Sequence, residues 1–111
     1  MKKNEVVKSK IDFNKIIKTG KSINNDSFVI YYKDNEIGYS RYGISVGTKL
    51  GNAVFRNKYK RKIRMIINNN KNILKEHQKD FIILFRKAGT NLEHKKLEKK
   101  FIELINKLKE N

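Results

Sequence analysis

Apolar residues recur along the chain with two different periods, and these periods predict three strands and three helices. Residues 27–33 are rich in β-forming residues that alternate between the two faces of a strand, and in residues 39–47 apolar side chains alternate with small or polar ones. Residues 80–85 consist of one acid followed by a short, continuously apolar run, which is typical of a strand buried on both faces. The sequence therefore predicts a small sheet.

Helical spacing appears in three other stretches. Residues 10–19 follow Ser9, whose hydroxyl can cap a helix, and they end before a glycine. The second helix is expected to have Asn52 as its N-cap and to end near Asn69, where a run of asparagines lowers helix propensity. It follows the second strand directly, so the two elements should be close in space.

The rest of the chain completes the predicted order. A capping box of Thr90 and Glu93 precedes the last helix, whose apolar stripe consists of Leu97, Phe101, Leu104, Ile105 and Leu108. Residues 1–8 are expected to be a loose tail, residues 21–26 a polar connection, and residues 73–77 one further turn of helix. The order helix, strand, strand, helix, strand, helix predicts an α+β or α/β fold in one domain, with a small sheet covered by helices.

The second predicted helix carries an apolar stripe on one side and a row of polar side chains beside it. The apolar stripe consists of Phe55, Tyr59, Ile63 and Ile66. The neighbouring row, called the ridge below, consists of Arg56, Asn57, Lys60, Arg61 and Arg64. Because a helix is a rigid support, the ridge would present its guanidinium and ammonium groups together, and phosphate is the ligand that suits them.

A run of charge can also be an ordinary solvated helix face, and the charge distribution favours binding over that alternative. Residues 37–75 contain ten lysines or arginines and no acid, so no acidic neighbour along this stretch offsets their mutual repulsion. Three of the five arginines in the chain fall between Arg56 and Arg64. Arginine binds phosphate through two hydrogen bonds and stacks on bases, whereas lysine supplies a point charge. The clustering of arginines therefore indicates specific contact with nucleic acid.

Overall composition agrees with a polyanionic partner. The chain has 27 basic and 11 acidic residues, a net charge of +16, and such an excess destabilises the compact state unless an anion is bound. Cysteine is absent, which excludes a disulfide framework, a thiolate metal site and a cysteine nucleophile. The N-terminus has no apolar signal segment and no stretch approaches membrane-spanning length, so we expect a cytoplasmic location and no membrane partner.

The residues around the second helix resemble the RNR signature of the protein subunit of bacterial ribonuclease P. The matching residues are Lys49, Gly51, Asn52, Ala53, Val54, Arg56, Asn57, Lys60, Arg61 and Arg64. The resemblance extends over nearly the whole chain, from about Ile11 to Leu108. It implies an α+β fold similar to the second domain of ribosomal protein S5, with a four-stranded sheet and a left-handed βαβ crossover through the basic helix.

The resemblance also implies different roles for the RNA and the protein. In bacterial ribonuclease P, the RNA subunit performs the metal-dependent hydrolysis that frees the 5′ leader from precursor tRNA, with magnesium held by RNA and substrate. The small protein binds that RNA and the leader, and we expect it to be non-catalytic and to hold no metal itself. The positions that match RNA-subunit contacts are Lys49, Arg56, Asn57, Lys60, Arg61 and Arg64. The positions that match leader contacts are Phe13, Ile17, Tyr31 and Arg86.

The leader positions have an alternative interpretation and one departure from the family pattern. Phe13 and Tyr31 could stack on the bases of single-stranded RNA, but they could equally be ordinary core aromatics. Ile17 stands where relatives often carry a second aromatic residue, and an aliphatic side chain cannot stack. We therefore expect weaker leader contact at that position.

The sequence is also compatible with other classes of function. The eleven acids are scattered without metal-ligand spacing, and His77 and His94 are expected to be exposed, so a catalytic site on the polypeptide is not expected. A small ribosomal RNA-binding protein could use the same basic helix. A self-sufficient metal-dependent nuclease and a DNA-reading helix are weaker rivals, and no DNA partner is expected because the ridge is wide and no second helix precedes it at helix-turn-helix spacing.

Overall fold

The computed structural model describes residues 3–74 and 78–110, within which four strands form one mixed sheet. The strands are β1 (Lys21–Asn24), β2 (Phe28–Asp34), β3 (Arg41–Ser45) and β4 (Lys79–Phe85). Their order across the sheet is β1-β2-β4-β3, with β3 parallel to β4 and the other neighbours antiparallel. Strand β4, which contains the apolar run of residues 81–85, thus occupies an inner position, as its sequence predicts.

Helices cover both faces of this sheet. They are α1 (Lys10–Thr19), α2 (Ala53–Asn69), α3 (Lys71–Leu74) and α4 (His94–Glu110). Asn52 caps α2, because its side-chain oxygen accepts the backbone N–H of Phe55 at 2.9 Å. The parallel strands β3 and β4 are connected through α2, which confirms the crossover, while its left-handed sense stays a prediction. No helix in residues 3–74 or 78–110 is long and apolar enough to cross a membrane.

The larger core lies between one face of the sheet and helices α2 and α4. The whole apolar stripe predicted for α4 is buried there, together with Tyr59 and Ile63 of α2. Aromatic contacts link the layers: the rings of Tyr59 and Phe85 stack with centroids 4.6 Å apart, and Phe28 meets Phe101 edge-on at 5.9 Å. Burial of each such side chain stabilises the fold by about 1.5–3 kcal/mol, so this core determines where α2 lies.

A smaller core lies on the opposite face of the sheet, under α1. Val7, Ile16 and Ile82 are buried in it. Phe13 and Tyr31 pack against them but remain partly exposed. The molecule therefore has three layers, with α1 on one side of the sheet and the α2 and α4 pair on the other.

The prediction of a polar connection at residues 21–26 is wrong, because the first part of this segment forms the edge strand β1. In this strand Ser22 and Asn24 are exposed and only Ile23 is half-buried. An edge strand of four residues that buries one side chain has no apolar pattern to detect. Its pairing is nevertheless regular, with Ser22 opposite Tyr31 in the antiparallel register.

The start of α4 also differs from the prediction. Thr90 lies in a 3-10 turn, Lys87–Asn91, and its hydroxyl donates to the Lys87 carbonyl at 2.6 Å. The capping box of Thr90 and Glu93 is therefore absent, and the helix begins directly at His94. His94 is half-buried rather than exposed, because it stands at the junction of this turn and the helix.

Two further predictions concern segments beside residues that lie outside the described part of the chain. The tail expected to be loose over residues 1–8 is packed at Val7, which is 6% exposed, since its apolar side chain joins the smaller core. The extra turn of helix expected over residues 73–77 is α3, which ends at Leu74. His77 and its two preceding residues lie outside the described residues.

One partly buried ion pair joins the two parallel strands. Arg41 on β3 donates from Nε to Oδ1 of Asp80 on β4 at 2.8 Å, and from Nη2 to Oδ2 at 2.6 Å. Asn35, in the turn after β2, adds a third hydrogen bond to Asp80 at 2.9 Å. Burial raises the pKa of the Asp80 carboxyl, but these hydrogen bonds outweigh burial and hold the pKa below its ordinary value. The carboxylate therefore stabilises the fold in its charged form.

We expect Asp80→Asn to lower the free energy of unfolding at pH 7 by about 1–3 kcal/mol, because it removes the charged partner of the half-buried Arg41 guanidinium. A depressed pKa contributes stability that is present above the unfolded pKa of about 4 and is lost as the pH falls through the folded pKa. Urea unfolding from pH 7 to pH 2 should show the two proteins converging only in acid. The exposed carboxylate Asp34, paired with Lys79, offers the control Asp34→Asn, for which little change is expected. Equal stability of Asp80→Asn and the wild type at pH 7 would contradict the assignment.

Candidate nucleic-acid interface

Four of the five ridge residues line one shallow surface on α2. Its lining consists of Val54, Asn57, Lys60, Arg61 and Arg64, and its volume is about 400 Å³. Val54 is 77% exposed there, which places an aliphatic side chain among the cations. The surface is open and its polar groups are donors, so it suits a broad anionic partner better than a small ligand.

The cations of α2 are not neutralised by the rest of the protein. Among the described side chains, those of residues 4–74 and 78–108, the ion pairs are Arg41 with Asp80, Lys71 with Glu5, Lys79 with Asp34, and Lys100 with Asp26. None of these pairs uses a side chain of α2. The helix therefore presents its positive charge to solvent, where a polyanion could replace the counterions.

Arg56 and Lys49 lie apart from this surface. Arg56 is half-buried, and its Nε is buried without a hydrogen-bond partner in the described part of the chain. Lys49 is exposed in the 3-10 turn Thr48–Leu50 that precedes α2. The structure thus brings Asn57, Lys60, Arg61 and Arg64 together, and places Arg56 and Lys49 at the margins.

A glycine fixes how the chain enters α2. A Cβ at Gly51 would lie 2.6 Å from Cδ1 of Phe55, so the absent side chain makes room for the aromatic ring. The Phe55 ring also packs against Tyr59 with centroids 4.8 Å apart. This contact connects the N-terminus of α2 to the core and holds the ridge in register with the sheet.

A second concavity, called the groove below, runs along the free edge of β3. Its volume is about 220 Å³, and its lining consists of Val6, Val7, Phe13, Tyr42, Gly43, Ile44, Lys60 and Arg64. Lys60 and Arg64 line both the groove and the shallow surface of α2. The two concavities are therefore adjacent, and one pair of cations belongs to both.

The leader positions are only partly brought together. Phe13 lines the groove, while Ile17 and Tyr31 pack beside it in the smaller core and are half-buried. Arg86 is exposed at the end of β4, where its Nη1 donates to the Asn25 carbonyl at 2.9 Å, and it does not line the groove. The sequence places Gly43 on the strand face opposite Tyr42 and Ile44 and predicts a role in close packing, but it does not indicate that Phe13 is the side chain packed against it.

Gly43 forms the floor under Phe13. A Cβ at Gly43 would lie 2.8 Å from Cε2 of Phe13 and 2.7 Å from Cδ1 of Ile82. Ile82 faces Gly43 on one side and Tyr31 on the other in the sheet register. The glycine thus lets α1 bring its aromatic ring down onto the sheet at the mouth of the groove.

Among the described side chains, no group of three or more His, Cys, Asp or Glu could hold a metal ion. The buried carboxylate Asp80 is engaged by Arg41 and Asn35. Its oxygens are thus already bound within the protein, and the two concavities described above present cations and an aromatic ring.

Comparison with known proteins identifies the family. The sequence profile of the Ribonuclease P family matches residues 1–109. The chain belongs to the ribonuclease P protein family. A "Ribonuclease P protein component" from Mycoplasma mycoides is 50% identical over 109 residues, which cover 98% of this chain and all of that relative. Family membership makes the chain a protein component of ribonuclease P, a ribonucleoprotein of tRNA processing.

Solved structures of ribonuclease P proteins have the same fold. A Staphylococcus aureus RNase P protein, described as a mutant with defective mRNA degradation activity, matches with a TM-score of 0.86 and 36% identity, covering 96% of this chain and 90% of its own. The RNase P protein from Thermotoga maritima matches with a TM-score of 0.84 and 33% identity, covering 93% and 96%. The ridge and the groove therefore lie on a fold shared by ribonuclease P proteins.

We expect Gly43→Ala to displace the Phe13 ring, because the new methyl group would meet it well inside contact distance, and to destabilise the fold by about 1–3 kcal/mol. Proton chemical shifts of the Phe13 ring and thermal unfolding would measure both effects. Gly47→Ala is the matched control: a Cβ there meets nothing within 4 Å, and the backbone φ of −65° suits alanine. Unshifted Phe13 resonances in Gly43→Ala would show that the floor of the groove is not as described.

Proposed function

We propose that this ribonuclease P protein binds the catalytic RNA subunit with the ridge and the 5′ leader of precursor tRNA in the groove. The RNA subunit, with magnesium held between RNA and substrate, carries out the hydrolysis that releases the mature 5′ end. The observation that carries this proposal is the sharing of Lys60 and Arg64 between the two concavities. One pair of cations can thereby stand between two polyanions.

The ridge suits a structured RNA for electrostatic and geometric reasons. Arg61 and Arg64 are exposed on a rigid helix, beside Lys60 and the amide of Asn57. Guanidinium groups bind phosphate through two parallel hydrogen bonds, and Asn57 can donate to a phosphate or base edge. The same positive region is extended by Lys49, which is exposed in the 3-10 turn before α2, and by the half-buried Arg56.

The groove suits a single strand of variable sequence. Phe13 offers an aromatic ring for stacking, worth on the order of 1–3 kcal/mol per base, and stacking tolerates any base. Ile17 and Tyr31 continue the apolar surface beside it, and Arg86 lies further along the sheet at the end of β4. A 5′ leader is such a strand, because it differs in sequence from one precursor tRNA to the next.

The polypeptide's own contribution is binding and charge screening. Phosphates of the RNA subunit and of the substrate repel each other within a Debye length of about 8–10 Å, and cations between them lower that repulsion. No described side-chain cluster offers a metal site, so the magnesium belongs with the nucleic acids in this proposal. Because the relatives are bacterial ribonuclease P protein components, we also place the chain in the cytoplasm.

Reconstitution tests the proposal directly. Precursor tRNA with a leader, the RNA subunit and low magnesium should give faster cleavage when this protein is added, while the protein with magnesium alone should cleave nothing. Unchanged cleavage by the RNA subunit would overturn the assignment. Cleavage by the protein alone would instead favour a self-sufficient nuclease, and binding only to ribosomal RNA would favour a ribosomal protein.

We expect Arg61→Ala combined with Arg64→Ala to weaken binding to the RNA subunit and to reduce its salt dependence. Two lost phosphate contacts should lower the slope of log affinity against log salt by about 1.4–1.8. Filter binding from 50 to 400 mM salt measures that slope. Lys99→Ala with Lys107→Ala removes the same charge from exposed positions of α4 and is the control. An equal loss of slope in both double variants would show that net charge, rather than the ridge, determines binding.

A further inference from the structure

Residues 5–7, called the strap below, bridge the elements that frame the groove. Val6 pairs with Tyr42 on the free edge of β3, and the backbone N–H of Val7 donates to the Tyr42 carbonyl at 2.9 Å. The side chain of Val7 is buried against Ile16 of α1 and Ile82 of β4. The strap therefore joins the edge strand to the helix that carries Phe13.

An ion pair anchors the strap to the segment that follows the basic helix. Glu5 Oε1 lies 2.7 Å from Nζ of Lys71, and the two side chains are 17% and 25% exposed. Lys71 is the first residue of α3 and comes two positions after the end of α2. Partial burial protects this pair from screening by salt, so it can hold the strap more firmly than a fully exposed pair would.

The strap also forms a wall of the groove. Val6 and Val7 line it together with Phe13, Lys60 and Arg64. In a strand the N–H and C=O of alternate residues point to the same edge, so the backbone groups of Ile44 face this free edge as those of Tyr42 do. The strap pairs with Tyr42 and leaves the edge at Ile44 open toward the cations.

We propose that the strap is a positioning element for single-stranded RNA, and that the Glu5 and Lys71 ion pair sets leader affinity by holding the wall of the groove. The inference rests on the proposed function, because it assigns the groove to the leader. The strap contacts no reacting atom. Its effect is transmitted through the distance between the Phe13 ring and the ammonium and guanidinium groups of Lys60 and Arg64.

The test uses a substitution for which simple electrostatics and the proposed role of the strap predict opposite changes in RNA affinity. Glu5→Gln removes a negative charge, so attraction to RNA alone predicts tighter binding. Loss of the anchor predicts instead that the holoenzyme binds leader-bearing precursor tRNA about fivefold more weakly, the effect of an ion pair of about 1 kcal/mol. Affinity for leaderless tRNA should be unchanged. Hydrogen exchange at the Val7 amide should also become faster, since its bond to Tyr42 opens more often.

Glu103→Gln, at an exposed position of α4, is the control: it shows how much the loss of one negative charge alone changes leader affinity. Leader affinity of Glu5→Gln equal to or tighter than that of Glu103→Gln would overturn the strap's role. The swap of Glu5→Lys with Lys71→Glu keeps the net charge and should restore wild-type affinity to within about twofold, and failure to do so would also count against it. Equal wild-type affinity for leader-bearing and leaderless tRNA would instead overturn leader binding in the groove, and the strap's role with it.

Discussion

The structure depends on attaching a strongly cationic helix to a small apolar core. Helix α2 has six lysines and arginines and no acid, so like charges stand one turn apart along it. Such pairs each cost about 0.2–0.5 kcal/mol. Four buried side chains, Tyr59, Ile63, Ile66 and Ile67, each contribute about 1.5–3 kcal/mol. Burial therefore exceeds repulsion, and the helix can carry uncompensated charge because its opposite face is held by the sheet and α4.

Local signals in the sequence account for most of the fold. The N-cap at Asn52, the apolar stripe of α4 and the apolar run of β4 each depend on residues close together in the chain, and all three are confirmed. The edge strand β1 and the packed residues 5–7 depend on partners far away in the sequence. Ser22 has no apolar signal of its own, and it lies in a strand because Tyr31 is opposite it. Single-sequence patterns cannot contain that information.

The candidate site likewise has some features that depend on local sequence and others that depend on residues far apart in the chain. Helical periodicity predicts that Asn57, Lys60, Arg61 and Arg64 share a face, and the structure brings them together. Periodicity places Arg56 in the same row, but its position next to the core leaves it half-buried at the margin. The groove is a product of sheet register: Tyr31, Ile82 and Gly43 form one row across three strands, and the missing side chain of Gly43 admits the Phe13 ring. Aromatic residues alone could not indicate which strand position would lie beneath them.

Sharing Lys60 and Arg64 between ridge and groove has a consequence for how two nucleic acids could bind together. Each cation can be neutralised once, so two polyanions that meet at this pair gain less than the sum of their separate electrostatic attractions. Simultaneous binding then requires interactions that do not depend on these charges. In the proposed function, stacking on Phe13 supplies such an interaction for a single strand, and Arg61, Asn57 and the exposed Val54 supply it for a structured RNA. On that proposal, charge governs how strongly nucleic acid is attracted to this side of the molecule, whereas the shapes of the two concavities govern which RNA occupies each.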